Sequence, residues 1–252
     1  NFSVRAGCLT ARSVTLNPTD ATSHSVKDGI TVNVQDALKA RKSVRAYLDK
    51  PVTHESILRI LDAARWAPSG TNTQPWEVYV VQGDTKSQII DALETQFEQG
   101  AEASMEYAYY PNQWFSPFQE RRRACGLAMF SALEISRQDK DKRLAQWKKN
   151  YSAFGAPVIL YFVMHKGLEA GSFFDYGMFY QSVMLAAMDE GLSTCPQAAL
   201  AEFPQPVKDI LGVGDDHLLL CGLALGYEDT RDVVNHYRTE REPIENFVTF
   251  TT

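Results

Sequence analysis

A chain of 252 residues, 44% hydrophobic and 22% charged, has ample apolar material for a buried core and is long enough for one large domain or two small ones. Its formal net charge of −6, from 25 basic and 31 acidic residues, excludes the global basic field that holds nucleic acid or an anionic membrane. No apolar run approaches the roughly 18 residues of a membrane span. The four cysteines (Cys8, Cys125, Cys195, Cys221) and five histidines lack metal-ligand spacing, so no metal is expected, and free thiols in a reducing cytoplasm are.

Residues 1–30 are rich in Ser, Thr, Asn and Asp and carry no motif. They read as an N-terminal extension, either draped over a partner subunit or loosely held, ahead of a domain over 31–252. The chain starts without methionine, which leaves a trimmed leader open. A helix is expected from about Asn33 to the basic run Arg41-Lys42-Ser43-Val44-Arg45, with Val34, Ala37 and Leu38 facing inward, and the Arg41–Arg45 spacing reads as one helical turn. Thr53 is a fitting N-cap for the next helix, whose Ile57, Leu58, Leu61 and Ala64 recur at helical spacing before Pro68 stops it. Glu77–Gln82 reads as a strand with an exit turn at Gly83-Asp84, and Lys86–Gln99 as an amphipathic helix.

The interval 101–118 breaks the pattern. Tyr107, Tyr109, Tyr110, Trp114, Phe115 and Phe118 crowd about Pro111 and Pro117, either as a lid or wall over a pocket for a flat ligand or as a packing patch. Arg121-Arg122-Arg123 opens a long helix to about Lys149, and the neighbouring Glu120 and Glu134 make this a solvated or ion-paired face. Val158–Val163, apolar on both faces, belongs in the middle of a sheet. Phe174–Gly191 is a helix ended by its glycine. Beyond it come a loop at Cys195–Leu200, a short helix at Pro204–Leu211, a buried strand at Leu218–Leu225 and an edge-strand pattern at Phe247–Phe250. With no repeat and no Gly/Ser linker, the elements make one α+β domain, helices flanking a mainly antiparallel sheet.

Chemistry concentrates in few places. Two arginines, a lysine and a hydroxyl within five residues can surround one dianion, and arginine's rigid fork matches phosphate oxygens well, although such a pentapeptide is also what a solvated helix face looks like. The loop Ala67-Pro68-Ser69-Gly70-Thr71-Asn72-Thr73-Gln74-Pro75-Trp76 adds a dense set of amides and hydroxyls between a helix and a strand. The G-x-S-x-G, G-x-G-x-x-G and Walker patterns are absent, and Cys195 lacks a cationic partner that would make it a nucleophile.

The basic run and this loop together resemble the FMN-dependent nitroreductase family, in which an R-[RK]-S-[VI]-R motif precedes a P-S-x-x-N-x-Q-P-W loop. Thr194-Cys195-Pro196-Gln197-Ala198-Ala199, Arg241-Glu242-Pro243 and the N-x-x-x-F-x-A-P pattern from Asn150 to Pro157 are similar to further family motifs, in the family's order. The resemblance implies a nitroreductase-like three-layer fold and a homodimer with FMN at the interface. It assigns Arg41 and Ser43 to the phosphate and ribityl region, Arg45 to the pyrimidine edge, Lys42 to a variable basic position and Arg241 to the phosphate, with Arg238 a poorer match. Pro68, Ser69, Gly70, Asn72 and Gln74 match positions lining the flavin, Pro68 and Ser69 coming from the other subunit. Pro196 packs near the ring, Gln197 stands beside it, and the backbone N–H groups of Ala198 and Ala199, where many members carry Glu-Gly, match donors to N5 and O4. Trp76 is assigned to the core.

As the resemblance implies, NADH or NADPH gives a hydride to flavin N5 and leaves, and a nitroarene or quinone then stacks in the same place, a ping-pong cycle of two-electron steps that needs no protein acid–base pair. The nearer subgroup reduces nitrobenzoates and other nitroaromatics. One rival is reductive dehalogenation on the same fold, with Glu106, Tyr107 and Lys149 as stand-ins for its lid. Another is a flavin-binding or flavin-delivering module without turnover.

Overall fold

The computed structural model describes residues 33–252, so the expected extension at 1–30 lies outside the described residues. At its centre is β2 (Val158–His165), whose run Val-Ile-Leu-Tyr-Phe-Val-Met is buried throughout. Alternation of side chains along β2 divides the core into two apolar layers. Val158, Leu160, Phe162 and Met164 face Ile57, Ile60 and Ala64 of α2 (His54–Ala64) and Tyr176, Phe179 and Val183 of α6 (Ala170–Asp189). Ile159, Tyr161 and Val163 face Ile89 and Leu93 of α3 (Gly83–Glu98) and Val207 of α7 (Pro204–Leu211). Helices on both faces of one sheet make three layers, and the α+β expectation holds.

The sheet is antiparallel throughout, in the order β1-β2-β4-β3, with β1 at Glu77–Val81, β3 at Ser193–Gln197 and β4 at His217–Gly226. Tyr161 pairs with Gly222, and Gly222 with Gln197. A Cβ at Gly222 would lie 2.5 Å from the Leu200 side chain, so this position needs glycine for close packing rather than for its backbone angles. Thr53 caps α2 by accepting from the Ser56 N–H, and Gly191, at φ +68, ends α6 in the left-handed region.

Several expectations give way. The helix before the basic run, α1 (Val34–Ala40), has the expected extent, but its predicted inner face is solvent-facing: Val34 is 69% and Leu38 49% exposed. Leu58 likewise points out of α2. The expected exit turn after β1 is already the first turn of α3. The long helix expected over 121–149 is two, α4 (Phe118–Ala132) and α5 (Lys140–Lys148), because Glu134 takes φ +53 and Asp139 accepts the Ser136 N–H in the intervening turn. The first half of the expected Cys195–Leu200 loop belongs instead to edge strand β3 (Ser193–Gln197), where an edge position tolerates the missing donor of Pro196. Phe247–Phe250 forms no strand, and Phe250 is 90% exposed.

The aromatic interval at 101–118 is irregular, as expected, but its base is anchored. Glu106 accepts from the Leu219 N–H (2.7 Å) and from Lys208 Nζ (2.9 Å), with Lys166 at 3.4 Å. Tyr107 donates to the Leu220 carbonyl at 2.7 Å, and the Ser104 N–H to the Glu202 carbonyl at 2.8 Å. Burial pushes the Glu106 carboxyl up, but the Leu219 N–H and Lys208 outweigh it and hold the group below the ordinary carboxylate range. Lys208 is only 3% exposed, so Glu106 is its essential counter-charge. Glu106→Leu should therefore destabilise the fold by about 3 kcal/mol through an uncompensated buried ammonium. The double variant Glu106→Leu/Lys208→Met should recover much of that loss, as measured by denaturant unfolding; equal stability of all three proteins would show that the pair is not holding the segment.

Candidate functional site

The basic run is extended rather than helical. Arg41 leaves α1 at φ −54, ψ 132, Ser43 bridges Thr194 of β3, and the Val44 N–H donates to the Thr194 carbonyl at 3.0 Å. Strand-like alternation, not a helical turn, thus puts Arg41, Ser43 and Arg45 in phase, while Val44 is buried in the opposite sense. Lys42 is spoken for: its ammonium donates to the Asn235 carbonyl (2.6 Å) and pairs with Glu228 (2.7 Å). It borders the cavity described next, but its charge is already matched.

Arg41, Ser43, Arg45, Arg238 and Arg241 line a cavity of about 100 Å³, together with Lys42, Cys125, Tyr237 and Thr239. Among the described residues its wall contains four guanidinium groups and no carboxylate. Burial, then the charges of Arg241 and Arg238, hold the Arg41 guanidinium below its usual pKa. Cations crowded without counter-charge favour an anion, and a phosphate dianion meets that demand with charge-assisted hydrogen bonds. The residues present therefore fit the phosphate end of a flavin mononucleotide.

Two residues organise the cavity: Asn235, which the sequence does not mark as functional, and Arg238, which it marks only as a poorer match than Arg241. Asn235, 1% exposed, accepts from the Arg45 N–H at 2.8 Å and donates to the carbonyls of Ala46 and Asp229 at 2.9 Å each. It clamps the basic run to the C-terminal segment. Arg238 donates to the carbonyls of Lys39, Ala40 and Arg41, the open carbonyl end of α1. Its spacing from Arg41 in sequence carries no signal for either role. Arg45 donates to Tyr237 Oη (2.7 Å) and to the Ser43 carbonyl (3.2 Å).

Arg45, Cys125 and Tyr237 are shared with a second cavity, about 970 Å³, between the body and helices α4 and α5. Tyr110, Phe130, Trp147 and Phe154 give it flat apolar walls. Of the aromatic interval, Tyr110 reaches this groove, whereas Glu106 and Tyr107 are engaged at β4 and Lys149 is exposed. These three do not form the acid–phenol–lysine lid that a dehalogenase would need.

The 67–76 loop is preformed but lies outside both cavities in this chain. Thr71, Asn72 and Gln74 hold φ values of +49, +61 and +47, the Gln74 N–H donates to Ser69 Oγ (3.0 Å) and the Gly70 N–H to Asp175 Oδ1 (3.1 Å). Pro68, Gly70, Asn72 and Gln74 are exposed. Trp76 stacks on Phe179 at 4.7 Å in the core layer. Of the third motif, Thr194 anchors the basic run, Pro196 is half-buried in β3, and Ala198 and Ala199 open a short 3-10 turn. Gln197 donates to the Asn150 carbonyl at 2.9 Å, next to the groove-lining Asn150 side chain, while its own Oε1 is buried without a protein partner.

The chain is similar to known proteins over most of its length. A model described as the Nitroreductase family matches residues 38–227. A 4-nitrobenzoate reductase of Pseudomonas putida is 36% identical over 221 residues, 88% of this chain and 96% of that protein. The crystal structure of an FMN and NADPH-dependent nitroreductase, NfnB of Sphigopyxis sp. strain HMH, superposes with a TM-score of 0.86 at 37% identity, covering 88% of this chain and all of that one. The FMN-dependent nitroreductase NfnB of Mycobacterium smegmatis, crystallised with NADPH, gives 0.82 at 30% identity over 86% of this chain and 97% of that one.

Thiol chemistry reads the cavity directly. Cys195 is buried and pushed up to about 11, chiefly by burial, and burial likewise raises Cys221 to about 12. Cys125 is exposed at the wall shared by both cavities. Alkylation at pH 8 with peptide mapping should modify Cys125 well before Cys195 or Cys221. Equal labelling of the three would contradict the burial described here.

Proposed function

The chain belongs to the Nitroreductase family, and from that premise we propose that it is an oxidoreductase that holds FMN and uses NADH or NADPH to reduce nitroaromatic compounds or quinones. The observation that carries this reading is the four-guanidinium cavity with no carboxylate in its wall, continuous through Arg45 with an aromatic-walled groove. FMN held there would supply the two-electron hydride chemistry that links a nicotinamide donor to the acceptor. Arg41, Arg238 and Arg241, with the Ser43 hydroxyl, are the groups to hold its phosphate. Arg45, fixed by Tyr237 and the Asn235 clamp, is the cation to face the ring's polar edge, where it favours the form carrying more negative charge. Lys42 stays assigned to the edge of the same cavity, with its charge shared with Glu228. Tyr110, Trp147 and Phe154 supply surfaces for a stacked acceptor and narrow the access of water. Ala198 and Ala199 retain backbone donors, and Pro196 and Gln197 stay assigned to the ring's neighbourhood.

We place Pro68, Ser69, Gly70, Asn72 and Gln74 against the flavin of a second subunit, since within one chain their loop is separate from both cavities. A homodimer also gives a place to the exposed Val34, Leu38 and Phe250. Residues 1–30 are assigned as an extension of a domain beginning at about 31, and a cytoplasmic location suits the free thiols. Among the described residues no helix is long and apolar enough to cross a membrane.

Arg41→Ala and Arg241→Ala should each weaken FMN binding by about 1.5–3 kcal/mol, measured by equilibrium dialysis. Unchanged affinity in both would remove the phosphate assignment. Stopped-flow mixing of the yellow protein with NADH or NADPH should bleach the bound flavin, and a nitroarene should restore the colour; failure to bleach with either donor would favour a flavin-delivery module.

Sedimentation at sub-micromolar concentration should show a dimer, as obligate interfaces bury on the order of 2,000 Å² or more. A yellow, active monomer would defeat the shared-site arrangement.

A further inference from the structure

The large groove carries more positive charge than the flavin reading uses. Arg122, Arg123, Arg137 and Arg143 line it, and none of them borders the small cavity that holds Arg41, Arg238 and Arg241. Among the described residues none of these four has an ion pair, in contrast to the neighbouring Arg121, which is matched by Glu242 at 3.0 Å. Among the described residues no Asp or Glu lines the groove. Such a concentration is unexpected by chance in a chain of net charge −6.

Two of the four are also oriented. The Arg143 guanidinium lies 3.8 Å from the centre of the Phe130 ring, and that of Arg122 lies 5.1 Å from that of Trp114. Stacking on an aromatic face steadies a guanidinium while leaving its N–H edges free to bind an oxyanion. The charge balance points the same way. A flavin phosphate is a dianion, and the four arginines around the small cavity already answer it. The second set has no anion of its own unless the ligand that enters the groove brings one.

We infer that Arg122, Arg123, Arg137 and Arg143 form a second anion subsite, which selects groove ligands carrying a carboxylate or phosphate away from the reacting group. The inference rests on the FMN oxidoreductase reading and sharpens its substrate class. The shared chemistry is an oxyanion on a molecule with a flat ring, and it has two sources: the carboxylate of an aromatic acceptor, or the 2′-phosphate of NADPH.

The test compares the wild-type protein with Arg143→Gln, Arg122→Gln and the double variant, each checked for bound FMN by its absorbance. Values of kcat/KM are measured for 4-nitrobenzoate against nitrobenzene, and for NADPH against NADH, and titration calorimetry follows binding of benzoate, NADP+ and NAD+. Removing a charge-assisted contact should shrink one of these preferences by roughly ten- to a hundredfold, with the matching loss in calorimetric affinity. Collapse of the 4-nitrobenzoate preference with the NADPH preference intact assigns the subsite to the acceptor. Collapse of the NADPH preference, with the two acceptors affected alike, assigns it to the donor. Both ratios unmoved in the double variant, with benzoate and NADP+ bound as before, overturns the inference. That result is distinct from failure of the underlying reading, which would show as a wild-type protein without FMN or without reduction of either nitroarene.

Discussion

One physical problem governs the site: positive charges must be held close together before any anion arrives. Arg41, Arg45, Arg238 and Arg241 repel one another, and partial burial of Arg41 adds a desolvation cost. Opposing this are contacts made away from the cavity. Asn235 joins the backbone at 45–46 to that at 229, Lys42 and Glu228 form an ion pair across the same seam, and Ser43 and Val44 engage Thr194 of β3. Arg238 has two duties, since it lends its charge to the cavity while donating to the carbonyls at the end of α1. Such preorganisation means a phosphate need not drive the arrangement itself, so more of its interaction energy appears as affinity.

The sheet supplies the rigidity behind these contacts. Because β2 is buried on both faces, β3 and β4 have fixed positions on one side of it, and Thr194 and Asn150 inherit them. The aromatic interval is tied to the same frame through Glu106, Lys208, Tyr107 and the β4 backbone. Tyr110 therefore approaches the groove from an anchored base. Arginines on α4 and α5 meet it across an opening of about 970 Å³, and the site has one wall set by the sheet and another set by two separate helices.

Much of this was legible along the chain. The 3.6-residue repeat of Ile57, Leu61 and Ala64, the unbroken apolar run of β2 and the glycine after α6 have local causes, so the helices, central strand and α+β class follow from them. The motifs were equally local: a five-residue run and a ten-residue loop suffice for family resemblance. Errors arose where a local rule met a non-local partner. Pro196 reads as loop, yet an edge position beside β4 accommodates it. Arg41 to Arg45 reads as a helical turn, yet pairing with Thr194 draws it out straight. Phe247–Phe250 alternates like a strand, but it pairs with neither edge of the sheet, β1 or β3, among the described residues.

The sequence by itself determined most of the helices, the central strand buried on both faces, and that a cluster of cations begins at Arg41. Those properties depend on periodicity and residue type within a few turns of chain. Only the tertiary structure decided which cations are free to act. Lys42 and Arg45 are near neighbours with similar charge and both border the cavity, but folding matches Lys42 with Glu228 and leaves Arg45 with Tyr237 as its side-chain partner. The same holds for Asn235, an ordinary amide until burial gives it three backbone partners, and for Arg122 and Arg143, which become one surface only when α4 and α5 separate around Glu134. Charge is written in the sequence, but whether a charge is matched depends on what folding brings within about 4 Å of it.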